Sequence, residues 1–137
     1  MKTLLLTSAL LFVTSASATE LVHDMSTSLL WQDNIDSKEL AISYYEAQEY
    51  CSKLAVGLQK DFRIPTLSEL QTLVDYKHFK PAMLEGFISV ANEVYWSSTP
   101  FVDDADKVWA INFRDGKTDI IAKSYDRHVR CVKSTKQ

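Results

Sequence analysis

The stretch DFRIPTLSELQTLVDY, residues Asp61 to Tyr76, decides the fold. Phe62, Arg63 and Ile64 read as a short strand, and Pro65 keeps Ile64 extended because its ring disfavours a helical residue before it. Thr66 then stands three residues ahead of Glu69, the spacing at which a hydroxyl and a carboxylate reciprocally satisfy free backbone N–H groups at a helix start. Leu67, Leu70, Leu73 and Val74 supply the buried stripe of that helix. Arg63 alternates away from Phe62 and Ile64 and is within reach of Glu69 or Asp75, so it reads as half of a structural ion pair rather than a catalytic arginine. The stretch is a corner where a strand gives way to a helix.

Upstream, SYYEAQEYCSKLAVG repeats the helical signal. Ser43 and Glu46 form a second capping pair, Ala47, Tyr50, Cys51, Leu54 and Leu58 share one face, and Gly57 is placed as a left-handed stop. Before it, Leu21 to His23 and Leu29 to Gln32 read as short strands around a polar turn at Asp24 to Ser28, with Trp31 in the core. Downstream, KHFKPAMLEGFISVANEV has few regular signals and reads as a long connection with a helical turn, held by Phe79, Met83 or Phe87. VYWSST is a strand, and KVWAINFRDGKTDIIAK a hairpin turning at Asp115-Gly116, with Trp109, Ile111 and Phe113 alternating into the core. HVRCV is a final strand carrying Cys131. Helices and strands that neither alternate regularly nor repeat make this an α+β domain.

The first residues read as an export signal. Lys2 precedes an apolar run from Leu4 to Val13, and Ala16-Ser17-Ala18 is a small-residue cleavage site, which places the signal peptide at 1–18 and a single domain at 19–137. The run is too short for a bilayer, which needs about 20 apolar helical residues. No cysteine lies near the cut, which argues against a lipid anchor, and the expected location is periplasmic or secreted, with no stable membrane anchor. In such a compartment Cys51 and Cys131 are most simply one disulfide, closing a loop that the chain-entropy description values at about 4–5 kcal/mol. A reactive or metal-binding pair is the alternative, without CxxC spacing or a histidine cluster to favour it.

The net charge of −3 and the lack of nucleic-acid motifs argue against DNA or RNA as partner. The charge is uneven, however. Lys38 is the one cation among the carboxylates between Glu20 and Glu49, whereas Lys117, Lys123, Arg127, Arg130, Lys133 and Lys136 crowd the C-terminal end. Lys117, Lys123, Arg127, Lys133 and Lys136 are therefore the candidates to meet an anionic ligand, with Arg130 set aside as structural because it adjoins Cys131. His23, His78 and His128 are too scattered for a metal site, and Ser97, Ser98 and Thr99 lack the glycines of a nucleophile elbow. Asp103, Asp104 and Asp106 could supply some oxygens to a calcium ion, but the glycine and distal glutamate of an EF-hand loop are missing. No cofactor is expected, no phosphate-binding loop is present, and nothing in the chain fixes the oligomeric state.

VHDMSTSLLWQDN, YYEAQEYCSKL, FRIPTLSELQTLVD, YWSST and VWAINFRDGK…VRCV stand in an order that resembles the C-terminal domain of the Legionella collagen-like protein. The resemblance spans nearly the whole chain after the leader. Phe62 stands where that family usually has tryptophan, and Ser28 where it usually has glycine. It implies a C-type-lectin-like, formylglycine-generating-enzyme-like fold, with two helices flanking a twisted, mostly antiparallel sheet and a first-helix cysteine bridged to the last strand. It also implies a secreted binding module, for an anionic glycan or a protein partner. An oxidase related to the formylglycine-generating enzymes, which would need a second cysteine pair for copper, and a structural accessory of an envelope assembly are the alternatives. The collagen-like stalk and the calcium–sugar motifs of true C-type lectins are missing from this chain.

Overall fold

The computed structural model describes Thr3 and residues 20–136, so the expected leader, its cleavage site and Thr19 lie outside the described residues. The elements run β1 (Leu21–Asp24), β2 (Leu29–Gln32), α1 (Ile35–Glu39), β3 (Ala41–Ile42), α2 (Tyr44–Lys53), α3 (Leu67–Gln71), β4 (Val94–Pro100), β5 (Lys107–Asn112), β6 (Lys117–Ala122), β7 (Arg127–His128) and β8 (Val132–Ser134). They form two sheets, β1-β2-β8 and β3-β7-β4-β5-β6. Pairing is antiparallel except between β4 and β7. The domain is α+β, and its arrangement is compatible with the C-type-lectin-like fold that the resemblance implies. No helix among the described residues is long and apolar enough to cross a membrane.

Both capping pairs form. Ser43 and Glu46 close the start of α2, and Thr66 and Glu69 close the start of α3. Helix α2 buries Tyr44, Ala47 and Cys51, but it ends at Lys53 and not at Gly57. Past Leu54 the chain is extended and folds into a tight turn pairing Val56 with Gln59, and Gly57 (φ 59°) supplies its left-handed corner. Leu58 therefore sits at a turn tip, 98% exposed, and does not extend the buried stripe. The β1–β2 turn is built by Asp24, whose Oδ1 accepts from the Ser26 backbone and hydroxyl. Ser28 closes it at φ 56°, a left-handed position of the kind that glycine adopts most readily.

The five-stranded sheet is buried on both faces. Trp96, Val108, Ala110 and Ile121 pack with α2, Phe62 and Ile64, while Tyr95, Ile111 and Phe113 pack with Leu70, Leu73, Met83 and the inward residues of the three-stranded sheet, Leu29, Trp31 and Val132. Ile111 and Phe113 thus enter a core as alternation requires, and so do Val108 and Ala110 on the opposite face; Trp109 stays partly exposed against Phe101. A sheet sandwiched between two layers buries both of its side-chain sets.

Three further expectations need correction. No helix forms between Thr72 and Glu93; the connection is held by hydrogen bonds from Lys80 to Arg114, Ala82 to Phe113 and Leu84 to Leu73, with Met83 buried, Phe87 partly buried and Phe79 62% exposed. The strand expected at Phe62–Ile64 reduces to one bridge, in which Arg63 and Val132 exchange two backbone bonds of 2.9 Å. The final strand is split. β7 lies in the larger sheet and β8 in the smaller, because Val129 to Cys131 crosses between them, turning Arg130 toward Asp33 and Cys131 toward Cys51. Cys51 and Cys131 are joined, tying α2 to that crossing.

Candidate functional site

Arg63 sits at the corner that the sequence marks. Its Nη1 and Nη2 donate to Glu69 Oε1 and Oε2 at 2.6 and 2.7 Å, and Glu69 Oε1 also accepts the Thr66 N–H at 2.9 Å. Glu69 is thus helix cap and ion-pair partner at once, and the guanidinium holds its pKa below the usual carboxylate range. Two shallow clefts flank the pair. One, of about 400 Å³, is lined by Tyr44, Gln48, Phe62, Thr66 and Ser98; the other, of about 460 Å³, by Thr27, Leu29, Ser68, Thr72 and Ser134. A carboxylate locked in a two-point ion pair is poorly placed to exchange a proton at neutral pH.

The other chemistry-bearing groups are mostly engaged within the fold. Ser97 is buried with its hydroxyl on the Trp109 carbonyl, and Thr99 Oγ1 accepts the Leu67 N–H at 2.9 Å. Ser98 is partly exposed beside the first cleft. His23 lies against the Thr135 hydroxyl at 3.3 Å, and His78 pairs with Asp75 at 3.0 Å. His128 is half-buried against the Tyr95 ring, and its burial lowers its pKa and favours the neutral imidazole. Asp103, Asp104 and Asp106 lie in the β4–β5 turn, where Asp104 Oδ1 accepts the Asp106 N–H and Asp104 approaches Lys107 at 3.8 Å. Among the described residues no three His, Cys, Asp or Glu side chains are gathered for a metal ion.

Arg130 is fully buried. It donates to Asp33 Oδ1 at 3.0 Å and to the Gln32 and Ser89 carbonyls, with its guanidinium beside the Phe87 and Tyr95 rings. Asp33 in turn accepts the Ile88 and Ser89 N–H groups at 3.0 Å. This hub fastens the long connection to the end of β2.

The five candidate cations do not form one patch. Lys117 opens β6 and Lys123 follows its end, about 20 Å away at the ordinary strand rise. Lys133 turns back onto the fold, donating to the Lys60 carbonyl at 2.8 Å and to Gln59 Oε1 at 3.3 Å, with its ammonium 5.9 Å from the Phe62 ring. Lys136 is exposed beyond β8. Lys123 and Arg127 are both anchored at the start of α2, since the Tyr44 N–H bonds the Lys123 carbonyl and Arg127 pairs with Ile42, seating the start of α2 on the β6–β7 turn. There the Lys123 ammonium stands 5.3 and 5.9 Å from the Tyr44 and Tyr45 rings, and the Arg127 guanidinium 5.4 Å from Tyr125. Tyr45 and Tyr125 are each 58% exposed. Neither tyrosine stands out in the sequence as a site residue; the available signals are that Tyr45 falls off the buried stripe of α2 and that Tyr125 lies midway between the candidate cations Lys123 and Arg127.

No curated protein matches the sequence. The model of the Lcl C-terminal domain matches residues 20–133, nearly all of the described chain, and the protein belongs to the Lcl C-terminal domain family.

Proposed function

We propose that this protein is an exported, non-catalytic binding module that receives an anionic glycan on the face formed by Tyr45, Lys123, Tyr125 and Arg127. The observation that carries the reading is that face itself: two cations held beside tyrosine rings, two of those rings more than half exposed. Cations attract sulfate or carboxylate groups over a long range, and exposed tyrosine presents an apolar ring with a polar tip, suited to a partner that is itself part apolar and part polar. Capping occupies Glu46, so the nearest carboxylate of α2 is turned to its own backbone. Against an oxidase, the two cysteines are spent on each other, and against a hydrolase, the Ser97 hydroxyl is buried and bonded. The disulfide supports a periplasmic or secreted location.

Heparin binding across a salt series tests the reading. Lys123→Ala/Arg127→Ala should weaken binding at least about tenfold at low salt and leave the melting temperature nearly unchanged, while binding by the native chain should fade as salt rises. Lys133→Ala should matter less, because that ammonium is engaged with Lys60 and Gln59. Affinity indifferent to salt and to the double substitution would remove the glycan reading and leave an envelope protein as the better partner, to be sought by crosslinking.

A further inference from the structure

The opposite end of the β5–β6 hairpin carries a second aromatic and cationic face. Tyr76 is 76% exposed and Phe79 62% exposed. The Lys80 ammonium stands 5.1 Å from the Phe79 ring and the Arg114 guanidinium 6.0 Å from it, with Lys77 and Lys117 exposed close by in the chain. Asp75 and Asp115 are the carboxylates nearest in sequence. Asp75 caps the Lys77 N–H at 2.9 Å and pairs with His78, and Asp115 caps the Lys117 N–H at 3.0 Å; Asp119 lies two residues further along β6. Among these neighbours the cations Lys77, Lys80, Arg114 and Lys117 outnumber the carboxylates Asp75, Asp115 and Asp119.

The face is also pre-shaped. Val74 bridges Met83, and the Lys80 and Ala82 N–H groups bond the Arg114 and Phe113 carbonyls at 2.9 and 2.8 Å, so the loop is stapled to the hairpin. A Cβ on Gly116 would come within 2.6 Å of Val74 Cγ1 and 3.1 Å of Tyr76 Cε1, which shows how closely the loop is seated on the turn. Little ordering remains to be done on binding, and the two rings stand out from a rigid edge with cations around them.

We infer that this face binds peripherally and reversibly to a phospholipid bilayer carrying anionic headgroups. Aromatic rings settle at the level of the headgroups, and each basic side chain near an anionic bilayer adds to the attraction. Charge complementarity selects the anionic bilayer, and exposed rings on a stapled loop suit a broad, deformable interface. The inference is independent of the glycan face at the other end of β6.

Vesicle co-sedimentation of the full chain tests it, comparing vesicles of phosphatidylglycerol and phosphatidylcholine in equal parts with vesicles of phosphatidylcholine alone. The native protein should sediment with the former at low salt and not with the latter. Lys77→Gln/Arg114→Gln/Lys117→Gln and, separately, Tyr76→Ser/Phe79→Ser should each weaken partitioning at least about tenfold, with melting temperatures close to native. Lys123→Ala/Arg127→Ala should partition as native, which separates this face from the glycan site. No sedimentation at low salt, equal sedimentation with both vesicles, or Tyr76→Ser/Phe79→Ser partitioning like the native chain would each overturn the proposal.

Discussion

Two arginines meet carboxylates in this domain, Arg130 with Asp33 in the interior and Arg63 with Glu69 at the rim. Geometry alone would rank Arg63 higher, since it makes two short bonds to its carboxylate and Arg130 makes one. Burial reverses the ranking of what each protects. Arg63 keeps 45% of its side-chain surface, so water competes for the pair and screens it. Arg130 has none, and Asp33 is its only carboxylate partner among the described residues, in a site where an unpaired charge is very costly. The buried pair adds little net energy over an apolar substitute, but its breakage leaves an uncompensated cation and two orphaned N–H groups. The rim pair, if broken, leaves groups that water can satisfy.

Asp33→Ala is the strongest way to break this contrast. It should cost about 3–5 kcal/mol in urea unfolding, and a loss below about 1 kcal/mol would show that solvent reaches Arg130 and that the two pairs are alike. Cys51→Ala/Cys131→Ala asks how far the buried hub relies on the covalent staple beside it. Its expected cost is about 2–5 kcal/mol, read from the urea midpoint, and a variant as stable as native would mean that the non-covalent crossing holds unaided. Thr66→Ala, at the corner that carries Arg63, should cost about 0.5–2 kcal/mol through the lost cap, with glycan and vesicle binding intact in the folded fraction. Unchanged melting with binding abolished would instead make the corner part of the site.

Glu69→Gln should have the smallest effect, about 1 kcal/mol or less, and its pH dependence sharpens the contrast. The folded pKa of Glu69 is depressed, chiefly by Arg63, so the ionised pair contributes above the unfolded value near 4.5 and that contribution is lost as pH falls through the folded pKa. The stability gap between native protein and Glu69→Gln should be full at pH 7 and shrink in acid. Urea midpoints at both ends of that window check this, and a gap that stays constant or widens in acid would contradict the assignment.

Local signals were legible in the sequence and long-range ones were not. The Ser43–Glu46 and Thr66–Glu69 caps, the Asp115-Gly116 turn and the reach of Arg63 to Glu69 all lie within a few residues, and each forms. Helix α1 leaves no periodic signal in the sequence because Ile35–Glu39 is too short to show a stripe, although Asn34 stands as its cap. Leu58 kept helical spacing beyond the point where the helix had ended. The split of β7 from β8 depends on Arg130 finding Asp33, 97 residues away, which no local pattern encodes. The cations of the candidate site could be named from the chain, but only folding separates Lys123 and Arg127 from Lys117 and turns Lys133 back onto Lys60.

The crossing between the two sheets also sets a clock. Strand β2 pairs with β8, the Gln32 and Cys131 backbones are bonded at 2.9 Å, Thr135 reaches Ser28, and Cys51 joins Cys131. Each of these links the first part of the domain to its last few residues. Chains dominated by such distant pairings fold slowly, because loop-closure entropy must be overcome before the contacts can form. While residues 127–136 are still held by the machinery that makes or moves the chain, β2 lacks a neighbour, Asp33 lacks its arginine and Cys51 lacks its partner. Completion of the native structure therefore waits until residues 127–136 are free to pair, and loss of that segment removes the closing step of the whole domain.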